Sequence, residues 1–358
     1  MRARRDFVRT AASRFAVHAV LALPLLLVAG AAGAAAPADA ATSEDSRLLP
    51  YAAPGQLVDI GGRRINLTCS GTGSPTVVLM AGLSSWSPVW YKVQPVIASA
   101  THVCAYDRAG YGFSDPAPRP PIVSDVVVDL HAALTAGAVS GPYVLVGHSL
   151  GGIEARLYTK RWPHDVAGLV LDDTSPAAEG LIDETQPGFD EAIDREHFTS
   201  TLLHCALLTA HGPLELGSPD YKECGLRLPS DTPAAFRAVV PRFFSADYFA
   251  AKASLLSSIY THRYDSVDHL RLGTLPLVVL SAEDSWGSGT PESERFSRAY
   301  SKRWVGMHKS LARLSSRGVH RFIQGSGHEI QLDKPQAVIA AIDEVIRDVR
   351  GAKQAPHR

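Results

Sequence analysis

The sequence predicts an α/β protein with a mostly parallel, eight-stranded sheet and helices on both faces. The first observation is that short apolar runs alternate with segments of helical periodicity along most of the chain after residue 54. The second is that this alternation stops between residues 175 and 271, where helix-like segments follow one another. We therefore expect one sheet domain with a helical cap inserted after its sixth strand.

The part of the chain before the insertion supplies six predicted strands. Residues 56–60 and 63–69 alternate in polarity around two glycines, which predicts a β-hairpin. Residues 76–80 are continuously apolar, as is typical of a strand that is buried on both faces. The other strands of this part are predicted at residues 102–106, 143–146 and 166–171, and its helices at residues 89–98, 124–136 and 153–162.

The remainder of the chain completes the predicted domains. The cap has helix-like segments at residues 191–210, 232–244 and 246–260, and the sheet resumes with strands at residues 275–281 and 319–323 and helices at residues 291–316 and 335–349. The predicted organisation is a lead-in segment at residues 41–54, a core at residues 55–174 and 272–352, and a cap at residues 175–271.

Residues 1–40 have the pattern of an export signal. Several arginines precede an almost wholly apolar stretch at residues 15–36, and small residues near position 40 offer a cleavage site. Arg4 and Arg5, followed by Asp6 and Phe7, resemble the twin-arginine signal. The sequence predicts a bacterial periplasmic or secreted protein without a stable membrane span after cleavage. A retained anchor is the alternative.

The net charge and the spacing of cysteines and histidines limit the kinds of molecule that we expect the protein to bind. The 358 residues carry a formal net charge of −1, which gives no support for binding nucleic acid. The spacing of cysteines and histidines predicts no metal site, and no cofactor is expected. We expect a small-molecule substrate as the partner.

The sequence Gly-His-Ser-Leu-Gly at residues 147–151 is the strongest functional signal. It follows a predicted strand and precedes a predicted helix, which is the context of a nucleophile elbow. In such an elbow a sharp turn presents the serine hydroxyl at the end of the sheet, and the glycines leave room for close neighbours. Ser149 is therefore the predicted nucleophile; the alternative is a glycine-rich turn in which the serine has no catalytic role.

Four segments in this order make residues 55–349 resemble the α/β-hydrolase superfamily. They are residues 77–82, residues 106–114, the serine elbow, and Gly-Ser-Gly-His at residues 325–328. The resemblance implies the α/β-hydrolase fold and a catalytic histidine in the loop after the last strand, which is His328. It also implies two backbone donors for an oxyanion, Leu83 after the third strand and Leu150 after the nucleophile.

The acid that would orient His328 has two candidate positions. In most members of the superfamily it follows the seventh strand, where this chain has Glu283 and Asp284. In a minority it follows the sixth strand, where Asp173 matches the aspartate of exported relatives. Asp173 is the favoured prediction, and Asp284 is the alternative.

These residues together predict a serine hydrolase that cleaves a carboxylic ester, or a related acyl bond, of a partly apolar small molecule. The alternatives are a non-catalytic binding protein on the same scaffold and a cofactor-free perhydrolase or haloperoxidase. Export would also allow two disulfides. Cys205 and Cys224 share the cap, and the resemblance places the strands of Cys69 and Cys104 side by side; four free thiols are the alternative.

Overall fold

A computed structural model describes residues 46–177, 191–226, 232–262, 264–285 and 291–354 of the chain. Its strands form one eight-stranded sheet in the order β1-β2-β4-β3-β5-β6-β7-β8. Strand β2 pairs antiparallel with β1 and β4, and the other neighbours are parallel. The strands are β1 Gln56–Asp59, β2 Arg64–Ser70, β3 Thr76–Met80, β4 Val103–Tyr106, β5 Tyr143–His148, β6 Val166–Asp172, β7 Leu277–Asp284 and β8 Gly318–Gly327. The predicted fold class is confirmed.

Helices cover both faces of this sheet in the described chain. They are α1 Gln94–Ala98, α2 Val123–Ala136, α3 Leu150–Arg161, α4 Glu191–Thr209, α5 Pro219–Glu223, α6 Ala234–Phe243, α7 Ala246–Thr261, α8 Pro291–Ala312, α9 Ile330–Asp333 and α10 Pro335–Gln354. None of these helices is both long enough and apolar enough to cross a membrane.

Alternate residues of β3 point into two separate cores. Val78 is buried in a cluster with Leu130 of α2 and Ile153 of α3. Val77 is buried in a second cluster with Ile342 of α10. This alternation follows from the two-residue period of a strand, and it explains why the whole strand is apolar.

The cap lies between β6 and β7 and contains α4 to α7. Leu202 and Cys205 of α4 pack with Leu255 and Ile259 of α7. A disulfide joins Cys205 to Cys224, and a second joins Cys69 to Cys104. The predicted cap insertion is confirmed, whereas the predicted export signal lies outside the described residues.

The predicted helix at residues 89–98 is broken in two. A 3-10 turn at Ser87–Trp90 is followed by the short helix α1. Pro95 occupies the first turn of α1, where its missing N–H interrupts no helical hydrogen bond. Position 95 would lack a donor inside a continuous helix, so this proline favours a new helix start.

Candidate active site

Ser149 lies in a sharp turn between β5 and α3. Its φ of 51° and ψ of −121° are unusual for a residue with a side chain. A Cβ atom at Gly151 would overlap the carbonyl oxygen of Met80, and one at Gly147 would overlap that of Gly151. Glycine is therefore required at both positions, because strand β3 and helix α3 approach the turn so closely. The serine side chain is left half-buried.

His328 directly follows β8, and the structure places it against Asp173. Its Nδ1 donates a hydrogen bond of 2.7 Å to Oδ2 of Asp173. Asp173 is fully buried after β6, and its φ of 38° lies in the left-handed region. The second carboxylate oxygen accepts from the Ala282 backbone N–H at 2.9 Å and from the Trp304 indole at 3.2 Å. Three donors therefore fix this carboxylate.

These contacts also set the charge of Asp173. Burial raises the pKa of its carboxyl, but the hydrogen bonds from His328 and the Ala282 backbone, together with the electrostatic interaction with His328, outweigh burial. The pKa of Asp173 is therefore held below its ordinary value, and the group is an anion at neutral pH.

The alternative acid lies at the exposed end of β7. Asp284 pairs in register with Gly327, the residue before His328, and its side chain is exposed. The neighbouring Glu283 is also exposed and accepts a 2.7 Å hydrogen bond from the Gly325 backbone N–H. Glu283 thus holds the backbone at the end of β8, which leads to His328.

His148 is buried next to the serine and contacts the backbone of the His328 loop. Its Nε2 lies 3.0 Å from the His328 carbonyl oxygen. A carbonyl oxygen only accepts, so Nε2 carries the proton. Burial lowers the pKa of His148, which favours the neutral form. These contacts give His148 a packing role beside the elbow.

Each of the two predicted oxyanion donors directly follows a residue at the turn: Leu150 follows Ser149, and Leu83 follows Gly82, which lies against Ser149. Leu150 is the first residue of α3, so its amide has no acceptor within the helix. Leu83 follows Gly82, and a Cβ placed on Gly82 would lie 3.3 Å from Cβ of Ser149. The loop that carries Leu83 is therefore in close contact with the serine.

Buried Arg108 fixes the carbonyl groups of that loop. It donates to the carbonyl oxygen of Ala81 and, at 2.8 Å, to that of Gly82. Its Nε lies 2.7 Å from Glu154 of α3, and both side chains are fully buried. This arginine therefore has a structural role, because it connects the loop to the helix that begins after the serine.

A buried histidine on α8 lies behind Asp173. Nε2 of His308 is 2.7 Å from the Thr174 carbonyl oxygen, so this nitrogen carries a proton. Its Nδ1 is 2.7 Å from Oγ of Ser281, which is also 2.8 Å from Nε2 of His320. Burial lowers the pKa of His308 to about 4, so its ring is neutral at pH 7. His320 thus has a structural role in this group of hydrogen bonds.

A cavity of about 390 Å³ lies between the cap and the loop after Leu83. Its lining residues do not include Ser149, but they include Ser84 and Ser85 from the same loop as the predicted oxyanion donor. Trp86 and Tyr91 line it, whereas Trp90 is wholly buried in the core. The aromatic residues that the sequence places after this loop are thus divided between the cavity and the core.

In the described part of the chain, one group of potential metal ligands comes together. The ligand atoms of Cys69, His102 and Cys104 lie within 4.8 Å of one another. The two sulfur atoms form a disulfide, however, so neither is available as a thiolate ligand.

The sequence matches the model of the α/β-hydrolase fold family over residues 75–203. An uncharacterised protein from Schizosaccharomyces pombe is 34% identical over 151 residues, which are 34% of this chain and 28% of that protein. The chain thus spans less than a third of this relative.

Solved structures of hydrolases share the fold. One is lip1 of Acinetobacter baumannii AYE, which is described as a candidate lipase. Its sequence is 17% identical and the TM-score is 0.63; the match covers 89% of this chain and 100% of that chain. A thermophilic esterase from Thermogutta terrifontis is 19% identical with a TM-score of 0.55, over 83% and 98% of the two chains. The sequence match and the architecture confirm the resemblance to the α/β-hydrolase superfamily and show that the chain has its fold.

Proposed function

We propose that the protein is a serine hydrolase that cleaves a carboxylic ester or a related acyl bond. The observation that carries the proposal is the 2.7 Å hydrogen bond between buried Asp173 and His328, together with Ser149, whose φ is positive and whose backbone N–H donates to the carbonyl oxygen of the adjacent Asp172 at 3.1 Å. The proposed nucleophile, base and acid are Ser149, His328 and Asp173. The proposed oxyanion donors are the backbone amides of Leu83 and Leu150.

In the proposed acylation step, Oγ of Ser149 attacks the carbonyl carbon of the ester. Because Nδ1 of His328 carries the proton that is donated to Asp173, Nε2 of the neutral ring is the basic nitrogen, and it takes the serine proton. The carbonyl oxygen becomes an oxyanion, and the two amides stabilise it. The C–O bond then breaks, and Nε2–H of His328 protonates the departing alcohol, which leaves an acyl group on Ser149.

Water completes the reaction in a second half with the same groups. His328 takes a proton from the water molecule as its oxygen attacks the acyl carbon. The second oxyanion collapses, the carboxylic acid leaves, and Oγ of Ser149 regains its proton. The anionic carboxylate of Asp173 stabilises the imidazolium in both halves, because it is buried and cannot move away from Nδ1.

The proposal of an ester substrate rests on two further points. The two solved structures named above are an esterase and a candidate lipase. In addition, aromatic and aliphatic side chains such as Phe244 and Val240 line the cavity beneath the cap, which suits a partly apolar group.

Hydrolysis of 4-nitrophenyl esters with short to long acyl chains tests the proposal. We expect turnover by the wild-type protein, and loss of about 10⁴- to 10⁶-fold in kcat for Ser149→Ala and for His328→Ala. The thermal midpoint of each variant serves as the control for folding. Turnover that survives Ser149→Ala would disprove the proposed nucleophile, and a wild-type protein inert towards all these esters would count against the ester class.

A further inference from the structure

Lys252 of α7 is a buried cation within the cap. Its exposed fraction is 9%, and its Nζ lies 5.4 Å from the ring centre of Phe198 and 5.8 Å from that of Tyr248. No carboxylate in the described chain forms an ion pair with it, and burial alone accounts for its altered pKa. The ammonium group therefore lies near two aromatic rings and has no counter-ion in the described chain.

A buried lysine without a counter-ion lowers the stability of the fold, so we expect it to be kept for another role. Burying a charged group without a partner costs free energy, and the two aromatic rings compensate for only part of this cost. Burial lowers the pKa of Lys252 to about 8, so the side chain is still mostly protonated at neutral pH. A methionine of similar length would fill the same space without the cost.

The same lysine lines the cavity beside the proposed oxyanion loop. Ser84 and Ser85 contribute to the wall from that loop, and Leu332 contributes from the segment after His328. Of the described residues that line the cavity, none is acidic. Lys252 is thus the positively charged residue among the described residues that line this largely apolar cavity.

The position of the cavity indicates which part of a substrate it would hold. Ser149 is not among its lining residues, so the reacting carbonyl lies outside it. Gly82 lies against Ser149, whereas Ser84 and Ser85 of the same loop line the cavity, so a substrate attacked by Ser149 would run along this loop to reach the cavity. The group that meets Lys252 is therefore remote from the bond that breaks.

We propose that Lys252 binds a carboxylate at the remote end of the substrate, so that the preferred substrates are esters that also carry a free carboxylate. This inference rests on the proposed function and names its substrate class. A single ammonium matches a monoanion, whereas phosphate dianions are commonly held by several donors or a planar arginine fork.

Matched pairs of esters test the inference. The probes are mono-4-nitrophenyl esters of linear dicarboxylic acids, each compared with the 4-nitrophenyl ester in which a methyl group replaces the carboxylate. We expect the ratio of kcat/KM for the anionic ester to that for the neutral ester to fall about tenfold or more in Lys252→Met. Lys222→Met, at an exposed lysine of the cap, should leave the ratio unchanged. An equal ratio in wild type and Lys252→Met at every chain length overturns the inference.

Binding to Ser149→Ala gives a second test that does not need turnover. Calorimetry should detect binding of the anionic monoesters to Ser149→Ala, and about tenfold weaker binding when Lys252→Met is added. The same weakening in a protein that hydrolyses no ester would reject the proposed function and keep the carboxylate site. Hydrolysis of the esters without this weakening of binding would keep the proposed function and reject the carboxylate site.

Thermal unfolding distinguishes a binding lysine from a structural one. If Lys252 is kept for a ligand, Lys252→Met removes the burial cost and raises the midpoint of unfolding. A lower midpoint, together with an unchanged ester ratio, would instead mean that the lysine serves the packing of the cap and would contradict the inference.

Discussion

Arg108 illustrates how a single buried residue can control a site that it does not enter. Its guanidinium binds Glu154 on one side and the carbonyl oxygens of Ala81 and Gly82 on the other. Carbonyl groups that are fixed in this way also fix the direction of the amides between them. The orientation of the Leu83 amide, a proposed oxyanion donor, therefore depends on Arg108.

We predict that Arg108→Lys lowers kcat for ester hydrolysis by about 10- to 100-fold, with a smaller change in KM. Lysine keeps the charge but cannot reach both carbonyl groups and Glu154 with a planar fork. The proposed oxyanion donor would then be displaced, which affects the transition state more than substrate binding. Arg64→Lys, in the exposed pair with Asp115, is the matched control. A change confined to KM would contradict this role.

His308 makes a second prediction at the residue scale, about stability and pH. Its pKa is about 4 in the folded protein and about 6.5 in an unfolded chain. Between these values the unfolded chain binds a proton that the folded protein excludes. Stability from neutral His308 is thus fully present above pH 6.5 and is lost as the pH falls towards 4, by on the order of 3 kcal/mol.

Urea unfolding at pH 7 and at pH 4.5 measures this contribution. Wild type should lose more stability between the two pH values than His308→Gln, since glutamine can donate to Thr174 but does not titrate. The exposed His211 supplies the control substitution, His211→Gln. Equal losses in wild type and His308→Gln would show that the ring is not buried as a neutral group.

At the scale of elements, local sequence was sufficient to predict the elbow but not the acid. The glycines around Ser149, between a strand and a helix, define the turn without reference to the rest of the chain. The choice between Asp173 and Asp284 depends on which carboxylate lies within hydrogen-bond distance of His328. Local sequence patterns do not give distances between residues that are far apart in the chain. In the structure Trp304 of α8 also contacts Asp173, a contact between residues 131 positions apart that sequence spacing does not reveal.

The cap disulfide joins α4 to the end of α5 and forms part of the cavity wall. Cys224 lines the cavity next to Gly225 and Leu226. We predict that Cys205→Ser with Cys224→Ser costs about 3 kcal/mol of stability, as expected for a closed loop of this size. Esters with long acyl chains should lose more kcat/KM than short ones, because the cavity wall loosens. Equal losses of kcat/KM for esters with short and with long acyl chains would argue against the cavity as the binding site of the acyl group.

At the scale of the whole molecule, sheet order explains why distant residues meet. Strand β6 lies between β5 and β7, so the ends of β5 and β6 bring Ser149 and Asp173 to the same edge, and β8 returns His328 to that edge. The predicted succession of strands and the resemblance were sufficient to predict this arrangement. The cavity and the isolated charge of Lys252 were not predictable, because they depend on how the cap folds over the site.

We also propose that the protein is exported, as its first forty residues predict. Two disulfides among the four cysteines agree with an oxidising compartment. Replacing Arg4 and Arg5 by lysine should retain the full-length protein inside a bacterial host that possesses twin-arginine export. Unchanged export of the doubly substituted protein would indicate a general secretory signal instead.

The most direct test of the central claim is covalent labelling of the protein with a fluorophosphonate, followed by mass spectrometry of the modified peptide. We predict one adduct, on Ser149, and labelling that is about 10³- to 10⁴-fold slower in Asp173→Asn but close to the wild-type rate in Asp284→Asn. An adduct on another residue, or no adduct on the folded protein, would contradict the proposed nucleophile. Slow labelling of Asp284→Asn with normal labelling of Asp173→Asn would transfer the role of the acid to Asp284.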